Sequence, residues 1–257
     1  MSKIMSEQEI SFTNIDYIQK IHFPPFVDSI EHQMILSAQL TSIIQDINEN
    51  PDVRIVVIEG NQISFNFQTN NLPSPQTEKE MEERQIAQLI ANIKCPTIML
   101  CSGSIVAQGF EICLSTDIRI CSSNTVFQMP QLYWNQLPWD GGTQRLSRLI
   151  GIPKSLDLML TGRNMNAEEA IQSGLVHQMT EPNKLETTGI ELAKQMSEYA
   201  PIAMQYTKEA ILNGYELPLN AALTLELDFN VLLHSTHDRL EGINSFLEKR
   251  APDFQGS

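Results

Sequence analysis

Glu111, Asp117, Gln131 and Asp140 punctuate the otherwise apolar stretch from Ile98 to Gly151. Their types limit the chemistry it can do. Glu111 stands among Phe110, Ile112 and Cys113, where a carboxylate is costly to bury unless it is paired or solvated in a pocket. It is therefore either a reacting acid or base or the partner of a core arginine such as Arg119 or Arg145. A single carboxyl can take a proton from one carbon and return it to another. Gln131 carries an amide and can neither give nor take one. Asp140 precedes Gly141 and Gly142 and reads as a second acid, a solvent-facing loop carboxylate or a cap for the GGTQRL helix that follows. Asp117 reads as structural, pairing with backbone or an arginine. His234 and His237 fit surface or packing roles. No Ser/His/Asp order, metal-ligand spacing or phosphate-cradling glycine loop stands out, and no metal is expected.

The elements that must hold these groups follow from periodicity. Ile98–Cys101 is an apolar strand, Ser102 and Gly103 break it, and a periodic segment carrying Glu111 and Asp117 follows as a helix. Ile118–Cys121 and Val126–Met129 are further strands leading to the loop with Gln131 and Asp140. Upstream, Ile10–His22 alternates as a hairpin or meander until Pro24 and Pro25 stop it. A helix spans Ser29 to Ile47, and Arg54–Glu59 is a strand. A helix is expected from Thr77 to Ile93. This succession favours parallel strands joined by crossovers. Beyond Gly151, helices are expected at 153–160, 167–173, 185–199, 201–212 and 218–233. Asn166 caps the second of these with Glu169 placed as in a capping box, and Gly174 closes it. No linker separates a second folding unit.

The chain has 257 residues, 42% hydrophobic and 19% charged, the composition of a globular protein with a sizeable core. Its 31 acidic against 17 basic residues give a net charge of -14, which argues against a nucleic-acid partner because phosphate contacts come mainly from Lys and Arg. A phosphate-bearing ligand would need a local basic patch against that field; otherwise the charge serves solubility. Cys95, Cys101, Cys113 and Cys121 sit in or beside apolar segments without CxxC spacing and read as buried free thiols. No apolar run is long enough to span a membrane, and MSKIMSEQEI lacks a signal-peptide core. The expected location is cytoplasmic.

The residues from Gly103 to Glu111 (GSIVAQGFE) with Asp117, from Phe127 to Gln131 (FQMPQ) and from Leu137 to Leu146 (LPWDGGTQRL) resemble the enoyl-CoA hydratase/isomerase (crotonase) superfamily. Its corresponding patterns are G-x-x-x-G-G-G-x-E-L-x-x-x-x-D, F-x-x-P-E and I-P-G-x-G-G-T-Q-R-L. LTGRNMNAEEAIQSGLVHQM and EGINSFLEKRAPDF extend the likeness over nearly the whole chain. The resemblance implies an α/β fold, a crotonase-like spiral of repeated ββα units with a helical C-terminal trimerisation region. The expected division is a core over 1–195 and a helical region over 196–257, one continuous unit forming a homotrimer or a dimer of trimers.

The resemblance also assigns roles. Two backbone N–H groups, from Gln108 beside Gly109 and from Thr69, would form an oxyanion hole for a thioester enolate. In the Thr69 segment, Gln68 and Asn70 replace the Gly and Asp of the family's F-x-A-G-x-D. Glu111 matches the first catalytic carboxylate, and Gln131 stands where the second is a glutamate. Asp140 lies one position after the acid of some isomerases, a place Trp139 occupies. Hydration needs one group to activate water and one to protonate the α carbon, so the Gln131 change suits isomerisation better. Phe246 and Lys249 match positions that touch coenzyme A, while His22–Val27 (HFPPFV) lacks the basic residue often found near the nucleotide. The expected substrate is therefore an acyl group on coenzyme A or on a carrier protein, with no cofactor beyond the coenzyme A of the substrate. The implied activity is isomerisation or hydration of an enoyl thioester. Decarboxylation of an acyl thioester, or a catalytically silent acyl-CoA-binding member, is the alternative.

Overall fold

Strands form where β-branched and apolar residues run without interruption, and most such runs here are buried on both faces. The structure, a computed structural model, describes residues 9–26, 29–67 and 75–257. β1 (Ser11–Ile15) and β2 (Ile18–Phe23) make the expected antiparallel hairpin. β2 then pairs in parallel with β3 (Ile55–Gly60), β3 with β4 (Thr97–Cys101), β4 with β6 (Ile118–Ser122), and β6 with β9 (Gln178–Thr180). Among the described residues this gives a six-stranded sheet in the order β1-β2-β3-β4-β6-β9. A second sheet of three strands joins β5 (Ser104–Val106), β7 (Val126–Gln128) and β8 (Met165–Asn166).

Alternation along each strand divides the core in two. Val56, Ile58, Met99, Cys101 and Cys121 face one apolar cluster. Ile55, Val57, Ile98, Leu100 and Ile120 face the other, which α8 (Leu185–Ser197) covers through Leu185 and Ala193. The four cysteines are free and buried, and burial pushes the Cys95 thiol up to about 12.

α1 (Ile30–Glu49) starts at Ser29, whose hydroxyl accepts from the His32 N–H. The single helix expected over Thr77–Ile93 is instead two, α2 (Glu78–Arg84) and α3 (Ala87–Ala91), separated by the extended Gln85. The break has a tertiary cause: the N–H groups of Ile86, Ala87 and Gln88 turn to the Asp140 carboxylate rather than to the preceding turn. α4 (Gln108–Leu114) is also shorter than its periodicity suggests. Asp117 lies beyond it, accepting from the Thr97 N–H and hydroxyl and pairing with Lys208 at 2.8 Å, a lysine where an arginine was one expectation.

The chain continues through α5 (Gly142–Ile150), α6 (Ile152–Thr161), α7 (Ala167–Gln172), α8, α9 (Pro201–Gly214), α10 (Leu219–Leu233) and α11 (His237–Glu248). The helices expected after Gly151 appear to within about two residues, and α11 adds one that periodicity did not separate. Asn166 caps α7, accepting from the Glu169 N–H. The Glu169 carboxylate, however, pairs with Arg163 and Lys154 and does not complete the expected capping box. No helix among the described residues is long and apolar enough to cross a membrane.

Candidate active site

The chain is pinned on both sides just before α4 begins. The Val106 N–H donates to the Phe65 carbonyl and the Ala107 N–H to the Gln128 carbonyl, at 2.9 and 3.0 Å. Ala107 then turns with φ 53° and ψ −121°, a conformation that costs a residue with a Cβ of order 1–3 kcal/mol. The strain sits where α4 presents its first N–H groups, those of Gln108 and Gly109, which the helix itself cannot pair. Gly109 is required by close approach: a Cβ there would lie 1.9 Å from the Phe65 carbonyl oxygen.

One turn into α4, Glu111 is only 1% exposed. Its Oε1 accepts from the Asp140 N–H at 2.9 Å and the Gly142 N–H at 2.8 Å. The core-arginine alternative is thereby corrected: Arg119 donates to the carbonyls of Leu175 and Thr116, and Arg145 donates to the Asp140 carbonyl and the Gln88 side chain. Burial pushes the Glu111 carboxyl up to about 8, the nearby Asp140 charge raises it further, and the two N–H donors and Arg145 oppose the shift. The group is therefore mostly protonated at neutral pH, can deliver a proton, and finds two donors waiting for the charge it then carries.

Asp140 is buried, neither solvent-facing nor a cap for the GGTQRL helix. Its Oδ2 accepts from the N–H groups of Ile86 and Ala87, both at 2.8 Å, and from Gln108 Nε2 at 3.0 Å, while Oδ1 accepts from Gln88 N–H at 3.2 Å. The helix it caps is α3, more than fifty residues upstream. Gln108 is held in turn, its Nε2 also donating to the Arg84 carbonyl and its Oε1 accepting from Gln33 Nε2. Arg84 Nε donates to Gln33 Oε1 and closes the cluster on α1.

Gln131 is buried in a single 3₁₀ turn, Gln131–Trp134. Its Nε2 contacts Met129 Sδ at 3.6 Å, and among the described residues its Oε1 has no hydrogen-bond partner. Glu111, Gln108, Gly109 and Asp140 thus come together around the start of α4. Thr69 lies outside the described residues, so the second donor of the expected oxyanion hole does too. Phe246, 82% exposed, and Lys249, the C-cap of α11, share no hydrogen bond with this cluster. Sequence reasoning missed Gln33 and Arg84. Gln33 lies on the buried face of α1, where a polar side chain was the available signal. A groove of about 830 Å³ opens at the other end of α4, lined by Leu114, Arg145, Leu149, Met204 and Tyr215.

The sequence matches the family described as enoyl-CoA hydratase/isomerase over residues 14–257. It is 38% identical over 174 residues to "Probable enoyl-CoA hydratase 2, mitochondrial" of Arabidopsis thaliana, a match covering 68% of this chain and 58% of that protein, under two thirds of its length. It is 31% identical over 228 residues to "Probable enoyl-CoA hydratase, mitochondrial" of Dictyostelium discoideum, covering 84% of this chain and 80% of the relative. Among solved structures, the crystal structure of enoyl-CoA hydratase from Bacillus anthracis is similar with a TM-score of 0.84 at 28% identity, over 96% of this chain and 99% of that one.

Proposed function

Because the chain belongs to the enoyl-CoA hydratase/isomerase family of enzymes and has its crotonase-like fold, we propose that it acts on an enoyl thioester of coenzyme A, moving a proton through Glu111. The observation that carries this reading is the buried Glu111 carboxyl, held by two backbone N–H groups one turn from a helix start whose own first N–H groups are unpaired by the helix. In an isomerisation, the ionised form of Glu111, the minor form at neutral pH and the dominant one above about pH 8, takes a proton from one carbon of the acyl chain. The electron pair moves onto the thioester oxygen, which the N–H groups of Gln108 and Thr69 stabilise as an enolate. The same carboxyl then returns the proton to a different carbon as the enolate collapses.

Hydration is the second reading, favoured by the names of the relatives. The Gln131 oxygen can accept a hydrogen bond from a water and orient it, but cannot remove its proton. Incubation with conjugated and β,γ-unsaturated enoyl-CoA substrates separates the readings. Interconversion of the two without added water is isomerisation, and a 3-hydroxyacyl product is hydration. Failure of every enoyl-CoA to turn over defeats both.

The assembly proposed is a homotrimer or dimer of trimers, with 196–257 as its helical part and 1–195 as the core. α10 supports this reading. It buries none of its residues in the chain, and Leu219, Leu223, Leu227 and Val231, spaced by four, are each more than half exposed. An apolar stripe of that size calls for a partner surface. Leu227→Asp is expected to shift the sedimentation coefficient to that of a monomer; an unchanged value removes α10 from the interface. Phe246 and Lys249, both exposed, are the proposed coenzyme A contacts, with a carrier protein as the alternative acyl donor. The proposed location is cytoplasmic.

A further inference from the structure

The matched sequence patterns leave position 108 to glycine and position 140 to any residue, yet here an amide and a carboxylate fill both places and bond to one another. We propose that Asp140 and Gln108 are a positioning pair that aims the Glu111 carboxyl by fixing the loop whose N–H groups hold it. The inference rests on the reading of Glu111 as the proton carrier.

Asp140 works from both ends of its residue. Its backbone N–H donates to Glu111 Oε1, while its side chain ties the same residue to three N–H groups of α3 and to Gln108 on α4. Its carbonyl accepts from Arg145 of α5 at 2.8 Å. The loop at 138–142 therefore cannot shift without breaking bonds to three helices, and Gly142, the second donor to Glu111, moves with it. Gln108 is the fixed post: Gln33 and the Arg84 carbonyl hold its amide so that Nε2 points at Asp140. With every one of these bonds directed at it, the Asp140 carboxylate is engaged in anchoring and not in proton transfer.

The charge of Asp140 has a second effect. The charged groups facing Glu111 are Asp140 on the loop and Arg145 on α5. The packed elements α3 (AQLIA) and β5 (SIV) present none. Asp140 opposes ionisation of Glu111 and Arg145 favours it. Asp140→Asn keeps an acceptor for α3 and removes the charge, so the ionisation governing kcat/KM should move to lower pH by about one unit. Gln108→Met leaves the charge and removes the tether, so kcat should fall about tenfold or more while that ionisation stays in place.

The experiment is kcat and kcat/KM against pH for the wild type and both variants, each normalised to folded protein by its melting curve. An acid shift confined to Asp140→Asn, with the kcat loss in Gln108→Met, supports the pair. Variants that melt lower but keep the wild-type kcat and pH profile reduce both residues to structural ones and overturn the inference, leaving the role of Glu111 intact. Should Glu111→Gln turn over as fast as the wild type, the proton-carrier reading fails and this inference falls with it.

Discussion

Glu111→Gln is expected to melt higher than the wild type at pH 9 while turning over enoyl thioesters about 10²- to 10⁴-fold more slowly. The sign follows from the raised carboxyl. Its ordinary value is 4.5 and its value in the fold is about 8. Below pH 4.5 the group is protonated whether the chain is folded or not, and it costs nothing. Between those values the folded protein holds a proton that the unfolded chain has released, so stability falls as pH rises. Above about 8 the fold must bury the charge itself, a penalty on the order of a few kcal/mol. Glutamine keeps an acceptor oxygen for the Asp140 and Gly142 N–H groups and carries no charge to bury. The gain at pH 9 should reach roughly 5–10 °C and shrink toward pH 5. A melting difference that is the same at both pH values would show that Glu111 titrates normally.

Gly109→Ala should lose both stability and activity, the first by about 1–3 kcal/mol or more and the second by about 10²-fold. The added Cβ would meet the Phe65 carbonyl oxygen at 1.9 Å and its carbon at 2.6 Å. Both are backbone atoms, and that carbonyl already accepts from Val106 at 2.9 Å, so α4 and the Phe65 segment must part. The displaced α4 start carries the unpaired Gln108 and Gly109 N–H groups and, one turn on, Glu111, so their preorganisation is lost. Gly174→Ala is the control. It too replaces a glycine, at φ +77°, but nothing lies within 4 Å of its Cβ. It should cost only about 1–2 kcal/mol of backbone strain and leave kcat unchanged. Equal urea midpoints for the two variants would discredit the close-approach argument.

Local chemistry made much of the architecture legible. Ile55–Ile58 and Ile98–Cys101 are apolar at every position, and both became strands buried on two faces. Asn166 and Gly174 marked the ends of α7 because a side-chain acceptor and a left-handed C-terminal residue act within one turn of the helix. Glu111 was recognisable as exceptional because a carboxylate among apolar neighbours is costly wherever the chain folds. Its partners were not. The two arginines nearest in character to a counterion bond to carbonyls and an amide instead, and backbone N–H groups, which every residue but proline possesses, leave no trace in a sequence.

Asp140 shows where the division falls. Its residue type allowed a helix cap, and a cap is what it became, but for α3 instead of the adjacent α5. The amino-acid sequence by itself determined the α/β class, the longer strands and helices, and the placing of one acid in an apolar helix, because propensity, periodicity and capping are properties of a few consecutive residues. Only the tertiary structure decided what faces that acid. The sheet order sets α1, α3, α4 and the 138–142 loop side by side, and bonds between residues tens of positions apart depend on that arrangement in space.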